Sequence, residues 1–237
     1  MHANQLVSNF QIAANPQIVK KYAVKDYEGS KRLLLQTTQY SYYLMFLLAL
    51  PICIAAEPLL RLWLGVVPEY TVVFLQLIII QSLFQVFDTS FYRALYAKGQ
   101  LRENALISPT IGFLCFPVVY ILFKMGYPPV TLSWASLVMY AVLGLIVKPI
   151  LIIRIVNYTW RDIFSVFIPC LKVTLAALPI PLIVNNFLDN YSLLTGFILK
   201  VLISIASVVC ASWFLGIPSS QRVILVNHLK VKFQRGN

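Results

Sequence analysis

The chain is 237 residues long, 59% hydrophobic and only 11% charged, against about 25% charged residues in an ordinary soluble domain. So few charges cannot cover a water-facing surface, so lipid has to be most of its solvent, and its length is best counted in spans of about 20 apolar residues. The net charge of +11 does not signal nucleic acid: phosphate-binding proteins gather Lys and Arg on one face with aromatics between them, whereas here the basic residues flank apolar runs.

Residues 1–19 lack the basic leader and continuous apolar core of a cleavable signal peptide, so insertion is expected to rely on the first complete span. They are nonetheless patterned. Asn4, Ser8, Gln11 and Asn15 fall on one helical face, opposite Leu6, Val7, Phe10, Ile12 and Ala13, and Pro16 is expected to end the helix. Two descriptions fit: a surface amphipathic helix, or a remnant of a transmembrane helix whose polar stripe faces a cavity. The loop "KKYAVKDYEGSKR" that follows favours the second.

Six apolar runs of spanning length come next, at 33–56, 71–93, 105–123, 132–153, 163–185 and 193–216. Short links such as "LYAKGQLREN", "KMGYPPV" and "RIVNYTW" force neighbours to run antiparallel. The expected fold is all-α, a polytopic bundle over 20–216 with a basic tail at 217–237. Pro218, Ser219 and Ser220 can start a tail helix lying on an anionic leaflet, or the tail frays. Pro51, Pro149, Pro179 and Pro181 read as kinks, tolerable where neighbouring helices re-satisfy the backbone.

One set of helix ends holds Lys20, Lys21, Lys25, Lys31, Arg32, Arg93, Lys98, Arg102, Lys148, Arg154, Arg161, Arg222, Lys230, Lys232 and Arg235. The other holds only Arg61 and Lys124. The positive-inside rule makes the first set cytoplasmic, the C-terminus included.

Ionisable groups inside spans are costly, roughly 2.5–3.5 kcal/mol at a helix centre, and mark pathways by default. Gln81, Gln85, Asp88 and Tyr92 share one face of the second span and must turn toward protein or water. Cavity lining and interhelical pairing are equally open for Asp88. Arg93 sits about 140° round the helix from Asp88 by the helical repeat, so Lys148 or Lys172 is the better partner. Lys172 lies nearest a span midpoint; Lys200, nearer an outer edge, can snorkel more readily. Lys148, close to the cytoplasmic edge, is equally explained by topology. In the first span Gln36, Gln39 and Tyr43 share a face suited to sugar hydroxyls, or to a membrane interface.

The cysteines at 53, 115, 170 and 210 each sit inside an apolar run without metal-like spacing, and His2 and His228 lie at opposite ends. Neither a metal nor a cofactor is expected. A transferase acting on a metal diphosphate would want clustered acids, whereas Asp26 and Glu28 are the only close pair; a polymerase would display a large outer loop. The chain is not expected to be an enzyme.

Residues 16–70, "PQIVKKYAVKDYEGSKRLLLQTTQYSYYLMFLLALPICIAAEPLLRLWLGVVPEY", carry a family pattern. A helix ends at Pro16 and leads to Tyr22-Ala23. The next span holds Pro51 in its outer half and exits through Leu60, Leu62, Trp63, Leu64, Gly65, Pro68 and Tyr70. With "YRALYAKGQLRENALISP", this resembles the C-terminal half of a bacterial polysaccharide (O-antigen type) flippase of the multidrug, oligosaccharidyl-lipid and polysaccharide exporter superfamily. The resemblance implies a site in the bacterial inner membrane and a lipid-linked oligosaccharide of the undecaprenyl-pyrophosphate type as cargo. It also implies a second lobe, because such proteins have two lobes around a central cavity and this chain matches one. A separate N-terminal lobe or a second copy would complete it. A drug exporter of the same superfamily and a non-transporting half-protein are the alternatives.

Overall fold

In the computed structural model, which describes residues 2–188, 191–218 and 222, six helical segments are long and apolar enough to cross a membrane. They are Tyr27–Ile54, Thr71–Lys98, Arg102–Lys124, Thr131–Val156, Trp160–Leu188 and Leu193–Gly216. No strand occurs among the described residues. The chain is a polytopic all-α membrane bundle, and each segment falls on one of the six predicted runs. Five of them overrun their runs at one end or both, because apolarity measures the hydrocarbon whereas the backbone stops at its caps; Leu193–Gly216 coincides with its run. Helix α2 (Tyr27–Ile54) starts where Asp26 accepts the Gly29 N–H at 2.9 Å. Lys21, then that N–H, hold the Asp26 carboxyl below the usual carboxylate range. Helix α4 (Thr71–Lys98) runs on to Gly99, whose φ of 75° only glycine adopts without strain.

The N-terminal helix α1 spans His2–Ala23 and passes through Pro16, correcting the expectation that it ends there. A proline inside a helix costs about 3 kcal/mol, and tertiary contacts hold this one in place. Pro16 itself points outward. Val7 and Ile18 are buried, and the Ile18 carbonyl accepts the Ser30 hydroxyl of α2 at 3.0 Å. The exit after Ile54 is also more ordered than a link: a short helix α3 (Ala56–Leu64) buries Ala56 and Leu60 while Leu62, Trp63 and Leu64 face outward. The tail helix expected from Ser219 onward lies outside the described residues.

Four further segments complete the chain. Helix α5 spans Arg102–Lys124, and α6 (Thr131–Val142) continues through a π-helical turn, Leu143–Val147, into α7 (Lys148–Val156). Helices α8 (Trp160–Ala177) and α9 (Pro179–Leu188) form one span bent at Leu178; α10 (Leu193–Ala211) ends in a second π turn, Ser212–Gly216. Helix α2 is the hub. The pair α1 and α4 packs on it, as does the pair α8 and α10, and α4 in turn carries α6 and α7. Helix α5 leans mainly on α6 and turns Phe113, Phe116 and Tyr120 outward, a face suited to lipid. Between apolar helices in lipid, close packing and hydrogen bonds must do the joining. Here Tyr42 stacks on Phe87 with centroids 5.2 Å apart, Phe87 meets Phe167 edge-on at 5.0 Å, and Tyr42 hydrogen-bonds Thr174 at 2.8 Å. Together these contacts tie α2, α4 and α8. At the basic end, a Thr159–Asp162 capping box opens α8, and Lys31 of α2 reaches Asp162 at 3.4 Å.

Both π turns precede a proline by one residue. The Lys148 N–H bonds Leu143 and the Ile217 N–H bonds Ser212, five residues back in each case. Pro149 has no N–H, and its ring would strike the carbonyl four residues earlier. The widened turn gives that carbonyl room and rotates Lys148 relative to α6. Gly144 lets this turn touch α4: a Cβ there would lie 2.5 Å from the Phe84 carbonyl oxygen.

Candidate functional site

The polar ridge of α4 is the centre of the site. Gln81, Gln85, Asp88 and Tyr92 stay within about 60° of one another at 100° per residue. The structure divides them between two neighbours, with α1 on one flank and α5 with α7 on the other.

On the first flank the polar stripe of α1 meets α4 directly. Asn4 donates to Gln85 at 3.3 Å. Gln11, buried to 1% exposure, donates to the Ser90 hydroxyl at 2.7 Å and accepts from Thr89 at 3.0 Å; Arg93 lies 3.5 Å from the same Gln11 oxygen. Above this seam lies an open cavity of about 380 Å³ lined by Asn4, Ser8, Gln11, Ser82, Gln85 and Thr89, among others. Asn15 Oδ1 and Arg93 Nε are buried nearby in sequence without a hydrogen-bond partner. Gln81 is half-buried.

On the second flank Lys148 Nζ lies 3.1 Å from Asp88 Oδ1, with side chains 3% and 19% exposed. The pair lacks hydrogen-bond alignment, so it holds by charge. Lys148 donates instead to Asn104 Oδ1, which also accepts the Ser108 hydroxyl at 3.0 Å, and stands 5.4 Å from the Tyr92 ring centroid. Charge, amide and aromatic face together satisfy one ammonium inside the bundle. The sequence put Lys148 near the membrane edge. It lies eight residues before the end of its span, about 12 Å inside at 1.5 Å per residue.

The other expected residues lie elsewhere. Gln39 donates to Tyr43 at 2.7 Å and to the Gly216 carbonyl at 2.8 Å. Tyr43 donates to the same carbonyl at 3.3 Å, and Gln36 is half-buried on that helix. This group closes the α2–α10 contact rather than joining the α4 ridge, because both side chains reach the Gly216 carbonyl at the end of the second π turn. Lys172 is not the partner of Asp88. It is exposed on α8, whose buried side is Ile163, Val166, Cys170, Val173 and Ala177. Lys200 is buried rather than snorkelling, in the wall of a cavity of about 450 Å³ with Glu57, Arg61, Gln76 and Asn185.

Asn104, Ser108, Thr89 and Ser90 were not among the expected residues. Only helical phase points to two of them: Ser108 is four residues from Asn104, and Thr89 four from Gln85. Among the described residues no three His, Cys, Asp or Glu side chains come together. The arrangement offers amides and hydroxyls along an open face, while Lys148 stays buried against Asp88 and Asn104 on the other flank. That suits non-covalent handling of a hydroxyl-rich molecule. Compared with known proteins, the chain matches no family model, no curated protein and no solved structure.

Proposed function

We propose that the chain moves a lipid-linked oligosaccharide across a bacterial inner membrane, its sugars following the α4 ridge. The observation that carries this reading is the open cavity at membrane depth between α1 and α4, into which Asn4, Ser8, Gln11, Ser82, Gln85 and Thr89 bring amides and hydroxyls. Polar groups facing hydrocarbon find no water, so such a surface needs a polar occupant. Amides and hydroxyls suit sugars. An apolar cavity of about 810 Å³, lined by residues such as Phe46, Leu83, Phe84 and Leu171, gives a polyprenyl tail a place beside the polar path. The cavity is open on one side, so a second lobe completes the path and rocks against this one. In a flippase-null strain, the chain alone leaves surface polysaccharide absent, and co-expression with a matching N-terminal lobe restores it. Full restoration by the chain alone would contradict the need for an N-terminal lobe and point to a second copy in its place; none in either case would contradict the cargo.

In this reading the basic end, with the C-terminus, faces the cytoplasm. A membrane-impermeant thiol reagent applied to intact cells freed of their outer membrane should label Tyr127→Cys and spare Lys25→Cys. The reverse pattern would overturn the orientation.

A further inference from the structure

We infer that the end of the bundle opposite the basic one holds a zwitterionic phospholipid of the phosphatidylethanolamine type. Its headgroup occupies a charged cavity around Glu57, Arg61 and Lys200, and one acyl chain occupies the apolar cavity beneath. The inference does not rest on the transport reading, because it needs only a bilayer and residues apart from the α1–α4 seam.

The head site comes first. An open cavity of about 450 Å³ lies where α3 meets the starts of α4 and α10 and the end of α9. Its polar walls include Glu57, Arg61, Gln76 and Lys200, and Ile54 is among the apolar ones. Tyr191, which is exposed, lines it too, and Trp63, two residues past Arg61, is exposed on α3. Aromatic side chains of this kind sit at the headgroup level of a bilayer. The cavity therefore stands at the depth of lipid phosphates.

Its charges decide the headgroup. Arg61 Nη2 meets Glu57 Oε1 at 2.6 Å, with more than half of each side chain exposed. An exposed pair of this kind contributes little to stability, so a ligand can share it at small cost. Lys200 is buried in the same wall, seven residues from the start of its span, which is about 10 Å inside at 1.5 Å per residue. A guanidinium has five N–H donors and an ammonium three, so each can reach a phosphate and keep its other partners. Among the described residues the cavity is charged by two cations and one carboxylate. That set matches a phosphate joined to an ammonium: the phosphate against Arg61 and Lys200, the ammonium against Glu57.

A second observation supplies the tail. Ile54 and Gln76 also line the apolar cavity of about 810 Å³, so the two cavities adjoin. From these residues the apolar one reaches Tyr42 on α2 and Phe87 on α4, about 17 Å along the helices at 1.5 Å per residue. One leaflet is half of the ~30 Å hydrocarbon core, and an acyl chain hanging from the head site spans that depth. Undecaprenyl phosphate suits the apolar slot but brings no ammonium for Glu57.

Native mass spectrometry of the full chain in detergent, with one lipid added at a time, tests the site. Phosphatidylethanolamine should bind at least about tenfold more tightly than phosphatidylglycerol or undecaprenyl phosphate, the scale of one hydrogen bond to a charged group. O-phosphoethanolamine, which has no chains, should bind at least about a hundredfold more weakly than the lipid, because chain burial is lost. Arg61→Gln should weaken phosphatidylethanolamine about tenfold, and Glu57→Gln should erase its preference over phosphatidylglycerol. Ile168→Trp, which fills the apolar cavity from its open side, should weaken every lipid. An unchanged unfolding midpoint without added lipid confirms that each variant keeps the fold. Equal binding of phosphatidylglycerol, tighter binding of undecaprenyl phosphate, or affinities that the head variants leave unchanged would overturn the inference. So would equal binding of O-phosphoethanolamine, or lipid binding that survives Ile168→Trp.

Discussion

Lys148→Met lowers the stability of the bundle by about 3 kcal/mol, the lower end of the range for stranding one member of a buried ion pair. The variant leaves the Asp88 carboxylate facing a methionine, with an Oδ1 that has no hydrogen bond even in the intact protein. Asp88→Asn costs less, since Lys148 keeps Asn104 and the Tyr92 ring. The double variant Asp88→Asn/Lys148→Met returns most of the loss, leaving a coupling of about 2 kcal/mol between the two sites. Thermal unfolding in detergent, followed by exposure of the buried Cys170 thiol, gives all four corners of the cycle. Additive single losses would show that the pair does not act as a unit.

Gly144→Ala is expected to cost about 1–3 kcal/mol, the range for overpacking a close contact. The added methyl meets the Phe84 carbonyl at 2.5 Å and the Phe87 Cβ at 3.4 Å. A carbonyl held in a helix cannot swing aside, so the π turn must move off α4. Lys148 follows immediately and moves with it, so the coupling to Asp88 should fall together with the stability. Gly112→Ala is the control: its nearest neighbour is the Met139 sulfur at 3.9 Å, and removing a helical glycine there should be neutral or slightly stabilising. Equal effects at 144 and 112 would show that the loss at 144 does not come from the α4 contact.

Much of the architecture was legible because a spanning helix must be a long apolar run, and hydrocarbon thickness fixes its length. The inward turn of Asp88 was legible for a similar reason: one helix's periodicity shows which residues share a face. Periodicity within a helix does not reveal how two helices are rotated against each other. Lys148 and Lys172 were equivalent partners for Asp88 until α8 was seen to turn Lys172 outward. Between Ser165 and Thr174 of α8 every residue but Lys172 is apolar, so the local pattern carried no phase. The contact made by Gln39 and Tyr43 was not legible for another reason. Its partner is the Gly216 carbonyl, and a backbone group leaves no mark in the side-chain sequence. Pro16 showed the limit of local rules, because the burial of Ile18 and the Ser30 bond to its carbonyl outweigh the helix break.

The central claim, that the α4 ridge is the path for the sugars, is tested most directly by a single thiol at Gln85. In a chain with its four native cysteines replaced by alanine, Gln85→Cys in membranes of the flippase-null strain should react with a membrane-impermeant thiol reagent. Lipid-linked oligosaccharide should slow that reaction, and undecaprenyl phosphate without sugars should not. Phe113→Cys, on the outward face of α5, should remain unreactive throughout. A residue 85 that is inert to the reagent, or equally reactive with and without the oligosaccharide, would contradict the account.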